Sequence, residues 1–269
     1  MMESRIIHKL EPIISEVKKK TGINIQNFKD SFLERRILHR MCDVGISDYE
    51  EYVKLISTNF NEAGSLYDSF SINVTKFFRD PHVWKKFEYE IMPNFCDSNR
   101  SSSILAWSCG SSTGEETHSL AILLNESLNK QIKYRVFGTD INDNAIVNAK
   151  KGIYKKENLL HVSEQQLATY FEKLNDNQFQ VKPIIKNKIE YEKSDMMKTS
   201  RKLFDIIFCR NVLIYYDKNV HEIIFKKFFD LLKKDGVLVL GQDESMIGTK
   251  NRNYFNLLYP RERIYQKKN

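Results

Sequence analysis

Four short, mostly apolar runs at 103–107, 134–138, 204–208 and 236–240 alternate with stretches of helical periodicity at 115–129, 143–151 and 217–233. Nothing else in the chain constrains its fold as strongly. Strands that read as near-continuous apolar runs are covered on both faces, which happens in parallel sheets whose crossover connections are helices. The alternation predicts an α/β fold with an open parallel sheet after about residue 100. One stretch breaks the rhythm: "QFQVKPIIKNKIEYEK" (178–193) alternates apolar and polar residues around Pro183 and Asn187. It is expected as an antiparallel hairpin inserted between sheet strands.

Before about residue 75 the period is helical throughout. Apolar residues recur as Ile6, Ile7, Leu10, Ile13, Ile14 and Val17, then Phe32, Leu33, Ile37 and Met41, then Tyr49, Tyr52, Val53 and Ile56. This is a small all-α unit. Ser31 and Glu34 have the spacing of a capping box opening its second helix, on which Arg36 and Arg40 share a face with Arg35 and His39 alongside. That face is a candidate surface for an acidic partner, or an ordinary solvated one. Asp80-Pro81 reads as an N-cap followed by proline at the first helical position, with the helix running to about Phe95.

Composition narrows the function classes. With 269 residues and 41% hydrophobic content the chain can bury a large core and a small one. Its apolar runs fall far short of the ~18 residues of a membrane span, and no apolar secretory stretch opens it, so a cytoplasmic protein without membrane insertion is expected. Cys42, Cys96, Cys109 and Cys209 show no metal-ligand spacing and are expected as small buried hydrophobes, with no metal site. The net charge is +7, and all of the surplus lies after residue 80: residues 1–80 hold 12 basic and 12 acidic side chains. Residues 150–202 carry 12 basic against 7 acidic ones, either a local basic surface or a solvated lysine-rich face.

Ligands of open α/β sheets bind beyond the carboxyl ends of the strands. After the first run comes "CGSSTGEE", whose Gly110 and Gly114 let the backbone approach a ligand closely. After the second comes "GTDIND", which puts Asp140 where an acidic residue accepts from ribose hydroxyls. The first loop is not built for phosphate: it has glutamate where a Walker loop has lysine, and Glu115 and Glu116 at the helix N-terminus oppose a pyrophosphate. S-adenosylmethionine removes the conflict. It carries adenosine, no phosphate, and two cationic centres that an acidic rim favours.

From about residue 29 onward the chain resembles the CheR-type protein-glutamate O-methyltransferases that modify chemotaxis receptors. The matching stretches are "FLERRILHRM", "NVTKFFRDPHVW", "LAWSCGSSTGEETHSLAILL", "VFGTDINDNAIVNAKKGIY", "FDIIFCRNVLIYYDK" and "GVLVLGQDES". The resemblance implies an all-α N-terminal receptor-recognition domain at 1–72. It implies a Rossmann-like methyltransferase domain at 73–269, with a β-subdomain inserted at about 163–193. It implies S-adenosylmethionine as cofactor, S-adenosylhomocysteine as product, and the acidic cytoplasmic helices of methyl-accepting receptors as partner. Asn73, Thr75 and Arg79 match positions that reach the methionine end of the cofactor, Glu115 a loop glutamate that contacts it, and Asp140 its ribose ligand. Asp195 and Met196 match an Asn-Leu pair near adenine, and Arg210 and Asn211 flank the cofactor. Tyr215 matches a tyrosine facing the methyl group, so Arg79 and Tyr215 are the expected catalytic pair. Arg35, Arg36 and Arg40 are the expected docking residues.

Two departures stand out. Asp195 and Asp243 replace the family's usual asparagine and serine, and "KLNDNQF" lacks the glycine-rich turn of members that dock on a receptor's C-terminal pentapeptide. The resemblance therefore does not extend to that tethering. A non-catalytic S-adenosylmethionine-binding scaffold shares the same pocket pattern. A nucleic-acid methyltransferase would need an Asn-Pro-Pro-Tyr motif or a Pro-Cys nucleophile where this chain has "CRNV", so no nucleic-acid partner is expected.

Overall fold

The computed structural model describes residues 2–70, 75–96, 103–197 and 202–269. Its contacts fall into two units: Met1–Ile72 with Tyr215–His221, and Asn73–Ile214 with Glu222–Asn269.

The first unit contains α1 (Met2–Thr21), α2 (Asp30–Asp43), α3 (Tyr49–Thr58) and α4 (Phe60–Ser69). Residues three and four apart form its core: Leu10, Ile13 and Val17 of α1 are buried with Phe32, Leu33, Ile37 and Met41 of α2. The capping box expected at Ser31 does not form. The helix begins at Asp30 with Lys29 as N-cap and no side-chain cap. A tertiary contact sets that start, because Lys29 N–H donates to the Tyr215 carbonyl at 2.9 Å. Phe28 likewise pairs antiparallel with Tyr216, their rings 4.6 Å apart. A local capping signal cannot compete with a fixed partner brought from 186 residues away in the chain.

In the second unit, α5 (Pro81–Lys86), a π-helical turn (Phe87–Ile91) and α6 (Pro93–Cys96) precede β1 (Ser103–Cys109), α7 (Glu115–Ser127), β2 (Lys133–Asp140) and α8 (Asp143–Lys151). Next come β3 (Ile153–Lys155), α9 (Glu164–Tyr170), β4 (Phe171–Lys173), β5 (Gln178–Val181), α10 (Pro183–Lys186) and β6 (Ile189–Lys193). β7 (Phe204–Cys209), α11 (Lys218–Leu231), which enters from the first unit's segment, β8 (Leu232–Leu240), β9 (Phe255–Tyr259) and β10 (Ile264–Lys267) complete it. The main sheet runs β6-β2-β1-β7-β8-β10-β9, parallel from β6 to β8, with β10 antiparallel to both of its neighbours.

Side-chain alternation divides the core between two faces. Phe208 stacks on Trp84 at 5.0 Å and meets Phe87 edge-on at 5.1 Å, whereas Trp107 faces the opposite way onto Phe204 and Phe228 of α11 at 5.3 and 5.7 Å. Every residue of β7 is buried, which explains its apolar run.

The hairpin expected at 178–193 is overturned. Gln178–Val181 joins a three-stranded antiparallel sheet, β3-β5-β4, while Ile189–Lys193 lies parallel to β2 at the edge of the main sheet. Pro183 starts a helical turn between them instead of a hairpin bend. Cys109 and Cys209 are buried free thiols as expected, but Cys42 is exposed. Among the described residues no helix is long and apolar enough to cross a membrane.

Candidate active site

The loop after β1 is built almost entirely from backbone. Gly110 N–H and Ser111 N–H both donate to the Thr139 carbonyl at 2.8 Å, which ties the loop to the end of β2. Ser112, at a left-handed φ of 48°, donates its N–H to Asp140 Oδ2 at 2.8 Å, and Asn142 N–H donates to Oδ1 at 3.0 Å. Two backbone donors thus fix the Asp140 carboxylate at the strand ends. Glycine is required at both ends of the loop. A Cβ on Gly110 would lie 2.5 Å from Val212 Cγ2, and one on Gly114, whose φ is 97°, would lie 2.6 Å from the Tyr191 hydroxyl. The buried Ser111 hydroxyl has no partner, which leaves one donor unmatched at the loop.

Glu115 opens α7 and is 2% exposed. Its carboxylate accepts from the Thr113 hydroxyl at 2.7 Å and from Asn158 Nδ2 at 3.1 Å. Burial pushes its pKa up to about 7, against the pull of the Thr113 hydrogen bond. Asn158 also draws in the segment before α5: its Nδ2 donates to the Thr75 carbonyl at 3.4 Å, and its own carbonyl accepts from Phe77 N–H at 3.0 Å. Phe78 N–H donates to the Ser119 hydroxyl at 2.9 Å. The structure therefore brings Thr75 and Arg79 to the start of α7, although they lie far before it in sequence. Asn73 lies outside the described residues.

Glu116 is not a second rim carboxylate. It accepts from the Ser108 hydroxyl at 2.9 Å and faces Arg210 Nη1 at 3.6 Å; burial raises its pKa, while Arg210 and, more weakly, Arg79 oppose that rise. Arg210 in turn donates Nη2 to Asp80 Oδ2 at 2.6 Å and to the Arg79 carbonyl at 3.1 Å. Asp80, expected to cap α5 through its side chain, makes no cap bond; it sits at a φ of 57° and gives its carboxylate to Arg210.

Asp195 and Met196, the pair expected near adenine, follow β6. Ser194 N–H donates to the Asp140 carbonyl at 2.9 Å, Asp195 Oδ1 accepts from Met197 N–H at 2.8 Å, and Met196 is buried. Lys227 Nζ is buried and without a hydrogen-bond partner; burial lowers its pKa, while Cys109 and Asp195 act in the opposite sense. Asn211 adopts a φ of 59° directly after Arg210. Behind the loop, His118 Nδ1 lies 2.8 Å from the Gly114 carbonyl and within 3.1 Å of the Tyr154 and Tyr191 hydroxyls. Burial lowers its pKa to about 4, so it is a neutral donor to Gly114.

In the first unit the three α2 arginines differ. Arg40 makes a bidentate pair with buried Glu62, Nε to Oε1 at 3.0 Å and Nη2 to Oε2 at 2.6 Å, and the Tyr52 hydroxyl adds a third bond at 2.8 Å. This is an internal tie, so the expected docking face loses Arg40. Arg35 is exposed, and Arg36 is half-buried over the Phe32 ring at 5.5 Å, with Tyr215 opposing part of the fall in its pKa that burial causes. The Tyr215 ring lies 4.8 Å from that of Phe32. By its contacts the expected catalytic tyrosine belongs with the helical unit.

Comparison with known proteins accounts for both the helical and the α/β part of the chain. Residues 73–262 match the family model of the CheR methyltransferase SAM binding domain, and residues 8–71 match that of the CheR methyltransferase all-alpha domain. A chemotaxis protein methyltransferase of Borreliella burgdorferi is 31% identical over 91% of this chain and 90% of its own. Those of Salmonella typhimurium and Escherichia coli are 30% and 29% identical, over 85% and 88% of this chain and 81% and 84% of theirs.

Proposed function

The chain belongs to the CheR methyltransferase family, and from that premise we propose that it transfers a methyl group from S-adenosylmethionine to glutamate carboxylates of chemotaxis receptors. The products are glutamyl methyl esters and S-adenosylhomocysteine, and the reaction is cytoplasmic. One observation carries the reading: two buried carboxylates, Glu115 at the start of α7 and Asp140 at the end of β2, flank the glycine loop where related nucleotide sites present bare N–H groups to phosphate. Asp140 accepts from the ribose hydroxyls, Glu115 from the cofactor's ammonium, and Asp195 and Met196 border the adenine. Thr75 and Arg79 reach the methionine end, and Arg210 and Asn211 lie alongside. Asn73 belongs to the same set by its motif.

When bound, S-adenosylmethionine supplies a methyl group on a sulfonium. A glutamate carboxylate, with an ordinary pKa of about 4.3, is ionised near neutral pH. Its oxygen lone pair forms the new C–O bond while the C–S bond breaks and that electron pair stays on sulfur. No proton moves, so no general base is needed, and the neutral His118 turned to Gly114 agrees with that. Catalysis then rests on alignment of the oxygen. Arg79 orients the acceptor carboxylate and Tyr215 hydrogen-bonds it. Arg35 and Arg36 of α2 meet the receptor's acidic helices.

The test is transfer of labelled methyl from the cofactor to a receptor cytoplasmic fragment. The expected label is base-labile and leaves as methanol. Cofactor binding with no transfer would make the chain a scaffold, and label on a nucleic-acid base would retire the reading.

A further inference from the structure

Just beyond β8, within the "GVLVLGQDES" stretch, lies a buried carboxylate to which the resemblance assigns no role. Glu244 is 3% exposed and accepts four backbone hydrogen bonds. Oε2 takes the N–H of Gly241 at 2.6 Å and of Asn211 at 3.1 Å; Oε1 takes those of Val212 at 2.8 Å and Leu213 at 2.7 Å. Three of the four donors are consecutive residues of the turn that leaves β7, where Asn211 has a left-handed φ of 59° that a non-glycine residue adopts only when its surroundings impose it. Cys209 and Leu240 are register partners at the ends of β7 and β8, so Glu244 staples the two strand exits together. Four donors and no acceptor surround the carboxylate, so this geometry suits its ionised form.

The staple reaches the cofactor loop through packing. Val212, whose N–H Glu244 holds, is the side chain that a Cβ on Gly110 would strike at 2.5 Å, so the turn and the loop lie in van der Waals contact. On the other side of the turn, Arg210 bridges Glu116 and Asp80. We infer that Glu244 is a positioning residue of the cofactor site, holding Arg210, Asn211 and Val212 in the path that shapes the floor against which the Gly110 loop closes. This inference rests on the cofactor reading given above, with Glu244 acting through the turn and not by contact with the cofactor.

Glu244→Gln preserves shape but turns an NH2 group toward two N–H donors, which replaces two attractions by repulsions. Calorimetric titration of the full chain with S-adenosylhomocysteine should show Kd raised tenfold or more with stoichiometry unchanged. A residue that only held the fold would lower the stoichiometry and leave Kd of the remaining molecules alone; that result, or an unchanged titration, overturns the inference. Gly241→Ala is the second variant, for the case in which Glu244→Gln does not fold. Its Cβ would come within 2.6 Å of Asn211 N and 2.7 Å of Glu244 Oε2 while leaving the carboxylate in place. Kd should rise at least threefold, and wild-type affinity would overturn the inference. Wild-type protein that fails to bind S-adenosylhomocysteine would instead defeat the underlying cofactor reading, and this inference with it.

Discussion

At the residue scale, neighbours in sequence have opposite duties. Glu115 is held at the glycine loop by Thr113 and Asn158, whereas Glu116 is taken up inside the protein by Ser108 and Arg210. The sequence shows two carboxylates at a helix start but not which one faces inward, because that depends on an arginine 94 positions away. Asp140 combines two tasks. Asp140→Ala removes the proposed ribose acceptor and frees Ser112 N–H and Asn142 N–H at once, so affinity for S-adenosylmethionine should fall roughly 10- to 150-fold, a loss of about 1.5 to 3 kcal/mol. Calorimetry returning wild-type affinity would remove Asp140 from the site. Tyr215→Phe keeps the ring that packs on Phe32 and loses only the hydroxyl. The expected result is kcat lowered about ten- to a hundredfold, or ~1.4 to 2.7 kcal/mol, with cofactor affinity unchanged. Full activity in steady-state assays would leave Tyr215 a packing residue.

At the scale of elements, α2 separates docking from stability. Reversing Arg35 and Arg36 to Glu should raise KM for the receptor fragment and weaken its salt dependence, while the unfolding free energy of the variant at the exposed Arg35 alone stays within about 0.5 kcal/mol of wild type. Arg40→Ala behaves differently, because it strands the buried Glu62 carboxylate. Denaturant unfolding should show a loss of about 2 to 4 kcal/mol, below the full cost of an orphaned buried charge since Arg40 keeps a fifth of its side chain exposed. Equal stability of the Arg35 and Arg40 variants would return Arg40 to the docking face. The spacing of Phe32, Leu33, Ile37 and Met41 made the helix and its buried side legible; its start was not, because Lys29 is tied to Tyr215. The 178–193 stretch fails for a related reason. Its alternating pattern marks two real strands, but periodicity names no partner, and one strand goes to β3 and β4 while the other goes to β2.

At the scale of the whole molecule, the parallel core was readable because strands covered on both faces have little freedom in composition, and the antiparallel strands β9 and β10 were not, because Asn256 and Gln266 interrupt their apolar character. The candidate site divides in the same way: Gly110 and Asp140 stand at or just after strand ends where the sequence pattern points to them, while Asn158, which bonds Glu115 through its side chain, and Glu244, which holds backbone N–H groups, leave no spacing to find. Glu115 links this local site to the stability of the whole second unit. Its pKa is about 7 in the fold against 4.5 for the ordinary side chain, so between those values the native state binds more protons than the unfolded chain. Stability therefore falls as pH rises from about 4.5 to about 7 and levels off above, by about 3 kcal/mol from this group. Glu116 and Glu244, also raised by burial, add slopes of the same sign. Glu115→Gln isolates the first contribution: its denaturation free energy, measured against wild type across pH 4.5 to 8, should gain relative to wild type as pH rises. The cofactor's ammonium reverses the preference, because it favours the ionised carboxylate. Wild-type affinity should weaken below about pH 7, by up to tenfold per pH unit, with proton release on binding; the glutamine variant should bind more weakly and without that slope. At saturating cofactor the rate should show no step between pH 6 and 8 from His118, which titrates near 4. Affinity that stays flat from pH 5.5 to 8 in the wild type would mean that Glu115 does not meet the ammonium.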